Sequence, residues 1–229
     1  MSQTALITGG TGGLGVPVVE TFLDAGWRVV VPWVDERERG RLPEREGCEG
    51  VRADLLDAGA AAEAVAVAAA EQAPLRAVVN LVGGFASGPR VHETPVEDFE
   101  AQFRLNLRPA YLVVQAALPP LMAAGDAAIV LVSTRAALRP FSGAAGYVAS
   151  KAAVLAFAQA LDVEYRDDGV RTNAILPSVI DTPGNRASMP GADHDRWVPP
   201  AQIAGVVRFL CSPESAPISG AAIPVYGRA

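Results

Sequence analysis

Short runs of β-branched and other apolar residues alternate along the chain with alanine-rich segments of helical length. This alternation is typical of β-α units, in which a helix connects two parallel strands. Several apolar runs contain almost no polar position, as expected for strands that helices cover on both faces. The pattern predicts seven strands, at residues 4–8, 28–33, 51–53, 77–81, 127–133, 171–176 and 222–225.

Segments of helical character fill the intervals between these strands, at about residues 13–25, 57–72, 96–122, 144–167 and 199–211. The third segment could be two helices, since Pro109 is a possible bend. Gly26 and Gly169 lie where a helix gives way to a strand, and Pro95 and Pro199 lie where helices begin. We therefore expect an α/β, Rossmann-like, doubly wound fold with three layers and a seven-stranded, mainly parallel sheet.

Composition narrows the class of protein. With 229 residues, half of them apolar, the chain can bury one substantial core, and residues 1–229 contain no linker or repeat, so we expect one domain. A net charge of -6 argues against nucleic acid or an anionic membrane and favours a small-molecule partner. We find neither an export signal nor an apolar run of the roughly 20 residues that span a bilayer, which predicts a cytoplasmic location. Cys48 and Cys211 have no metal-binding or redox spacing, so we expect reduced thiols and no metal site.

A glycine-rich turn follows the first predicted strand and leads directly into the first predicted helix, from Thr8 to Gly15. Small residues let a backbone turn tightly and approach a diphosphate, which then meets amide N–H groups and the positive end of a helix. A merely flexible loop is the alternative, but it does not explain why the glycines stop where a helix starts. The turn therefore indicates a nucleotide site.

A tyrosine and a lysine open the fourth predicted helix one turn apart, so Tyr147 and Lys151 lie on the same face. A phenol with a free pKa near about 10 is a poor proton donor or acceptor at neutral pH unless its anion is stabilised. A nearby ammonium would lower that pKa. Lys151 is the only lysine beside 18 arginines, and a compact ammonium suits this task better than a guanidinium. The alternative is a chance occurrence of Y-x-x-x-K.

These two motifs, T-G-x-x-x-G-x-G and Y-x-x-x-K, resemble those of the short-chain dehydrogenase/reductase family, and the resemblance extends over nearly the whole chain. It implies a seven-stranded doubly wound sheet and hydride transfer between a nicotinamide dinucleotide and a carbonyl or alcohol. It implies that Gly9, Gly13 and Gly15 lie under the cofactor diphosphate. The cofactor-binding turn then also contains Thr11, Gly12 and Leu14.

The resemblance extends to further cofactor contacts. Asp54, followed by Leu55, matches the family acid that hydrogen-bonds adenine, while Asn80 and Gly83 match the first and last positions of the family's N-N-A-G. Asp54 and Asn80 could instead be caps at strand ends. The segment from Pro177 to Thr182 resembles P-G-x-I-x-T-P, with Ser178 in place of glycine. It implies that Ile180 and Thr182 hold the nicotinamide carboxamide and that Pro177 belongs to the cofactor-binding residues.

The remaining catalytic positions follow from the same resemblance. The family serine, thirteen residues before the tyrosine, is replaced by Thr134, whose hydroxyl makes the same hydrogen bonds. Ser133 is the alternative. Asn106 matches the asparagine that holds a relay water, or it is simply a buried and satisfied amide. Lys151 is expected to bind the nicotinamide ribose as well as to assist Tyr147.

Cofactor and substrate selectivity are less clear from the sequence. NAD normally meets an acid at the end of the second strand and NADP a base, but Trp33 occupies that position, followed by Asp35 and Arg37. Because Gly12 supplies no base, the sequence favours NAD(H) slightly over NADP(H). A short substrate loop at about 184–198 indicates a compact site. Arg135 could bind an acidic substrate or form a surface salt bridge.

We therefore predict an NAD(P)-dependent alcohol dehydrogenase or ketoreductase that works on a small molecule. His92 and His194 are expected to be exposed loop residues, because the tyrosine already supplies acid-base chemistry. An enoyl reductase of the same fold is disfavoured because such enzymes space tyrosine and lysine more widely. A catalytically silent dinucleotide-binding sensor or scaffold is the alternative from another class. A homodimer or homotetramer is expected by resemblance.

Overall fold

Seven parallel strands form one sheet in the computed structural model, which describes residues 3–70 and 73–228. The strands are β1 Thr4–Thr8, β2 Arg28–Trp33, β3 Cys48–Arg52, β4 Leu75–Asn80, β5 Ala127–Val132, β6 Val170–Pro177 and β7 Ala222–Val225. Their order is β3-β2-β1-β4-β5-β6-β7, and every neighbouring pair is parallel. The predicted α/β fold is confirmed, and the sheet is parallel throughout rather than mainly parallel.

Helices cover both faces of this sheet. They are α1 Gly15–Asp24, α2 Glu36–Arg39, α3 Ala58–Ala69, α4 Val96–Asn106, α5 Arg108–Ala124, α6 Ala145–Tyr165, α7 Pro183–Ser188 and α8 Pro200–Leu210. The segment predicted at 96–122 is two helices that Leu107 separates, because Pro109 lacks an N–H and fits the first turn of a new helix. The helix end predicted at Gln72 lies outside the described residues.

Two apolar clusters hold the helices against the sheet. Successive residues of a strand point to opposite faces. Leu6 and Val30 therefore pack with side chains of α3, α5 and α6, whereas Ile7 and Val31 pack with α1 and α8. Full burial of one such side chain contributes about 1.5–3 kcal/mol, so both layers of helices are fixed on the strands that carry the candidate residues.

The edge strand β3 differs most from its prediction. It begins at Cys48 instead of Val51 and ends at Arg52 instead of Ala53. The side chains of β3 are exposed or only partly buried. A strand that buries little has no need of an apolar run, and the sequence signal is therefore weak there. Backbone pairing with β2, with Cys48 beside Val29, forms the strand instead.

The chain reverses its direction across the sheet between β1 and β4. Strands β2 and β3 lie on one side of β1, and β4 then pairs with its other side. In open α/β sheets, ligands bind at such a switch point, in the crevice at the carboxyl ends of the strands. Thr8 and Asn80 end β1 and β4 side by side, so the crevice opens above them.

The tight turn into α1 gives a first testable prediction, for Gly15→Ala. A methyl group there would overlap the carbonyl oxygen of Gly9 and lie 2.6 Å from the carbonyl carbon of Gly10. We expect the free energy of unfolding in urea to fall by about 1–3 kcal/mol, as for other overpacked sites. The control is Gly205→Ala on α8, where the added methyl meets nothing within 4 Å and should stabilise by about 0.5–1 kcal/mol. Equal stability of the two variants would contradict this account.

Candidate active site

The turn between β1 and α1 presents backbone amides to the crevice. Gly9 has a φ of +66°, which favours glycine, and its carbonyl accepts a hydrogen bond from Gly12 at 3.0 Å. Leu14 precedes α1 without a side-chain cap. Within the described part of the chain, the Gly12 amide is bonded to protein, whereas other amides of this turn, among them those of Thr11, Gly13 and Leu14, have no hydrogen bond to protein. Free amides at a helix N-terminus can bind an anion.

The segment after β6 lies against this turn. A Cβ on Gly13 would be 2.9 Å from the Cβ of Thr182. The Thr182 hydroxyl caps α7 by accepting from the Asn185 amide at 3.2 Å, and the Ile180 carbonyl accepts from Asn185 Nδ2 at 2.8 Å. Pro177 ends β6. The structure thus brings Thr182 next to the glycine turn, and its contact with a cofactor stays a prediction.

The end of β4 is tied to β1. Thr8 Oγ1 donates to Asn80 Oδ1 at 2.8 Å, and both side chains are buried. The Leu81 amide donates to the Thr8 carbonyl at 3.2 Å. Asn80 therefore fastens the end of its strand, which is the alternative to cofactor binding that the sequence left open. Its remaining amide hydrogens are free to face the crevice.

Gly83 lies where a side chain has no room. A Cβ there would be 2.7 Å from Asn106 Oδ1 and 2.7 Å from Lys151 Nζ. Three residues that the sequence predicts as functional thus meet at one point, although they come from a loop, α4 and α6. The glycine therefore lets the Lys151 ammonium and the Asn106 side chain come close to the backbone of the loop after β4.

Asn106 connects α4 to α6. Its Oδ1 accepts from the Gly84 amide at 2.9 Å, and its Nδ2 donates to Ser150 Oγ at 3.1 Å. Ser150 Oγ in turn donates to the Tyr147 carbonyl at 2.9 Å. The side-chain amide of Asn106 is buried and hydrogen-bonded within the protein, which is the alternative to holding a relay water that the sequence left open. The network fixes the start of α6, and with it the direction of Tyr147.

Lys151 is a buried cation, with 6% of the residue exposed. Its ammonium donates to the Val132 carbonyl at 3.1 Å, and its own carbonyl accepts from Ser133 Oγ at 2.8 Å. Burial lowers the pKa of Lys151 to about 8. Because that value still lies above 7, the ammonium is mostly charged at neutral pH.

Tyr147 is largely enclosed beside Lys151. Burial raises the pKa of the Tyr147 phenol above its usual range, and a hydrogen bond with the Thr134 side chain acts in the opposite direction. The lowering of this pKa that the sequence led us to expect from Lys151 is not found, because burial dominates and the only opposing influence comes from the Thr134 side chain. Phe85 packs edge-on against the ring, with centroids 5.0 Å apart.

The two hydroxyls after β5 have different tasks. Ser133 is buried and bonded to the backbone of α6, whereas Thr134 faces Tyr147 and also accepts weakly from the Ala136 amide at 3.3 Å. Only Thr134 is therefore placed to share a ligand atom with the phenol. Sequence alone left both residues open.

The end of β2, where the family acid would bind the cofactor ribose, is occupied by a tryptophan. Trp33 is buried, and its indole N–H lacks a hydrogen-bond partner among the described residues. The guanidinium of Arg39 lies 5.9 Å from the centre of the Trp33 ring. Asp35 caps α2 by accepting from the Arg37 amide at 2.9 Å. Among the described residues, Trp33 thus occupies the position of the family acid, and the nearby Asp35 carboxylate is used as the helix cap.

The predicted adenine contacts lie just beyond β3. Asp54 Oδ1 accepts from the Leu56 amide at 3.0 Å, so this carboxylate supports a turn, in agreement with the capping alternative. Leu55 is buried in the core, which leaves only its backbone for a ligand. Contact of Asp54 with adenine stays a prediction.

The predicted substrate loop at 184–198 is partly helical. It contains most of α7 and a short 3-10 turn at His194–Arg196. His194 stacks on the buried Trp197 with ring centroids 4.3 Å apart, and its Nε2 lies 2.9 Å from the Met189 carbonyl. His92 is exposed, as predicted, whereas His194 is partly buried by this stacking.

Sequence reasoning missed two residues that shape the site, Ser150 and Phe85. Ser150 could have been found from its position, since it lies three residues after Tyr147 on the same helical face. Phe85 gave no signal beyond being an aromatic residue in a loop. A cavity of about 540 Å³ also borders Tyr147, between α4, the start of α6 and the loop after β4.

The chain is similar in sequence to known dehydrogenases. The sequence profile of the family described as short chain dehydrogenase matches residues 3–192. The chain is 29% identical to 2-(R)-hydroxypropyl-CoM dehydrogenase of Xanthobacter autotrophicus, over 99% of this chain and 98% of that protein. It is 30% identical to 2,5-dichloro-2,5-cyclohexadiene-1,4-diol dehydrogenase of Sphingobium indicum, over 98% and 95%.

Solved structures agree in fold. A 3-ketoacyl-(acyl-carrier-protein) reductase of Brucella melitensis complexed with NADH has a TM-score of 0.88 at 27% identity, covering 99% of this chain and 98% of that chain. A variant of actinorhodin polyketide ketoreductase with NADPH has a TM-score of 0.89 at 26% identity, covering 99% and 96%. The chain belongs to the short chain dehydrogenase family of oxidoreductases. None of its described helices is long and apolar enough to cross a membrane.

The buried ammonium gives a second prediction, for Lys151→Met. The pKa of Lys151 is about 8 when folded and 10.5 ordinarily, so below pH 8 folding costs about 3 kcal/mol for this charge. That cost fades as pH rises from 8 to 10.5, where the lysine is neutral in both states. We expect Lys151→Met to unfold at higher urea than wild type at pH 7, with the gap closing towards pH 10.5.

Lys151→Arg is the matched control, because arginine keeps its charge over this range. The difference in unfolding free energy between Lys151→Arg and Lys151→Met should therefore stay the same as pH rises. Parallel curves for wild type and Lys151→Met would contradict the assigned pKa.

Proposed function

We propose that this protein transfers hydride between a nicotinamide dinucleotide and a small-molecule ketone or secondary alcohol, with Tyr147 as general acid and base. One observation carries the proposal. The Thr134 side chain lies near enough to the Tyr147 phenol to lower its pKa, while the buried ammonium of Lys151, one helical turn away, lies with Asn106 beside Gly83. A proton donor, a hydroxyl and a cation on neighbouring elements are what carbonyl reduction requires.

The described residues fit a dinucleotide. The glycine turn leaves amides free in front of α1, which suits a diphosphate. The absence of a side chain at Gly13 lets Thr182 pack directly on this turn, and its absence at Gly83 lets the Lys151 ammonium approach the loop after β4. We propose that a ribose hydroxyl accepts from that ammonium. When bound, the dinucleotide supplies or accepts the hydride at the substrate carbon.

The chain's own residues handle the proton. Hydride addition turns the carbonyl oxygen into an alkoxide, and Tyr147 Oη donates its proton to that oxygen as the C–H bond forms. Thr134 Oγ1 hydrogen-bonds to the same oxygen and orients it, and for this role we choose Thr134 over Ser133. Because burial keeps the Tyr147 pKa high, the phenol carries its proton at neutral pH and can give it away.

Lys151 stabilises the phenolate that remains. An ammonium shielded from water interacts more strongly with a neighbouring anion than an exposed one does. We propose that Asn106 positions α6 through Ser150 and guides a relay water near Gly83. Alcohol oxidation runs through the same steps in reverse, with Tyr147 accepting the proton.

Relatives support the reaction class. Both curated relatives are named as dehydrogenases of hydroxyl compounds, and the two solved neighbours are ketoreductases that hold NADH and NADPH respectively. We also propose that residues 1–229 form one domain and that α4 and α6 pair with a second copy, as homodimer or homotetramer. Exposed Phe99, Leu105 and Val163 on these helices support that pairing.

Tyr147→Phe tests the function directly. Removal of the phenolic hydroxyl should lower kcat for ketone reduction by about 10²–10⁴-fold, the range for loss of a general acid, while NADH binding measured by fluorescence is kept. Tyr111→Phe on α5, a half-exposed tyrosine, is the control and should keep full activity. Cofactor binding by wild type without turnover over a broad ketone panel would instead support a dinucleotide sensor.

Cofactor preference has its own test at Arg37. NADP needs a cation at its ribose phosphate, and Gly12 supplies none, so we propose a preference for NAD. Arg37 is exposed beside the cap of α2. We expect Arg37→Ala and the control Arg41→Ala to leave the ratio of NADH-linked to NADPH-linked kcat/KM within about two-fold of wild type. A selective loss of NADPH-linked activity in Arg37→Ala would reject the preference for NAD.

A further inference from the structure

Arg135 is the first residue of the turn that follows β5, directly after Thr134. The Thr134 hydroxyl accepts from the Ala136 amide, and the Arg135 carbonyl accepts from the Leu138 and Arg139 amides at 3.0 Å. These bonds fix the backbone on which the arginine stands. Its side chain therefore starts from a rigid base at the carboxyl end of the sheet.

The guanidinium of Arg135 packs on an aromatic ring. Its central carbon lies 5.2 Å from the ring centroid of Tyr226, which follows β7 and packs against the core. The Tyr226 carbonyl accepts from Ser178 Oγ at 2.8 Å, which ties the ring to the end of β6. The serine that replaces the family glycine thus helps to hold the surface under Arg135.

Arg135 is partly buried but lacks an acidic partner. Within residues 3–70 and 73–228, no carboxylate lies within 4.0 Å of its guanidinium, whereas Arg28, Arg45, Arg166 and Arg186 all have one. The surface salt bridge that the sequence allowed is therefore not found in this part of the chain. The guanidinium of the residue that follows Thr134 in the chain is thus free to pair with a group from outside the chain.

The position of Arg135 separates it from the diphosphate site. The glycine turn lies at the end of β1, while Arg135 and Tyr226 follow β5 and β7, on the other side of β4 in the sheet. The large cavity near Tyr147 has Asp98 as its charged lining residue, which would repel an anion. Arg135 does not line that cavity, so an anionic group that pairs with Arg135 would lie outside it, on the side of the turn after β5.

We propose that Arg135 binds an anionic group of the substrate, so that the preferred substrates are ketones or alcohols bearing a carboxylate or a related oxyanion. A planar guanidinium offers paired donors to such a group, and Tyr226 keeps it oriented from the opposite side. This inference rests on the proposed function for the reacting carbon and adds the class of its substituent.

The experiment compares 4-oxopentanoate with its methyl ester, two ketones that differ in charge. Wild type should show the higher kcat/KM for the acid with NADH. Arg135→Gln should lower the acid-to-ester ratio of kcat/KM by about ten-fold or more, as expected for loss of a charge-assisted hydrogen bond. Arg139→Gln, which removes an exposed arginine of the same segment, is the matched control and should leave the ratio unchanged.

A calorimetric titration with pentanoate, which cannot be reduced, separates binding from chemistry. Pentanoate should bind the NADH complex of wild type and Arg139→Gln, and about ten-fold more weakly that of Arg135→Gln. Such binding without reduction of either ketone would overturn the proposed function and leave standing only the binding of an anion by Arg135. Equal use of acid and ester by wild type, or equal losses on both in Arg135→Gln, would overturn the inference and leave the function standing.

Tyr226 is a positioning residue in this scheme, and two variants test it. Tyr226→Phe keeps the ring and should keep the acid-to-ester ratio, whereas Tyr226→Leu removes the ring and should lower that ratio. A merely structural role for Tyr226 would instead lower kcat/KM for the acid and the ester alike, with an unchanged ratio.

Discussion

The buried ammonium of Lys151 is the constraint on which the site depends. A charge taken from water needs a hydrogen-bond acceptor, and the Val132 carbonyl supplies it at 3.1 Å. This requires α6 to lie close to the end of β5, where Ser133 bonds to the lysine backbone. It also requires Gly83, because any side chain there would collide with Nζ. Tyr147 is oriented as a consequence, since it lies one turn earlier on the same helix.

The crevice divides the charge of its ligands between two ends. At the end of β1, free amides and a helix N-terminus favour a diphosphate. Beyond β4, the structure offers the polar hydroxyl of Thr134, the phenol of Tyr147 and the guanidinium of Arg135. The proposed hydride transfer would take place where these two ends meet, beside Gly83. Both ends carry groups suited to anions, although the chain as a whole has a net charge of -6.

Prediction from sequence succeeded where the signal was local. Strands β1, β2 and β7 have the predicted limits, because their apolar runs and flanking residues mark them. It failed at β3, whose side chains are mostly exposed and whose existence depends on pairing with β2. Likewise the spacing of Tyr147 and Lys151 fixed their common face, but not the raised pKa of the phenol, because desolvation depends on what the fold packs around it.

The sequence by itself determined the parallel α/β plan, the glycine turn and the helical pair Tyr147 and Lys151, since each rests on the period of a helix or a strand. Tertiary structure decided which hydroxyl faces the phenol, because the Ser133 hydroxyl donates its hydrogen bond to the backbone of α6. It also decided that Asn106 bonds to Ser150 and that Arg135 stacks on Tyr226. These contacts join residues far apart in the chain, and no local pattern encodes the packing that brings them together.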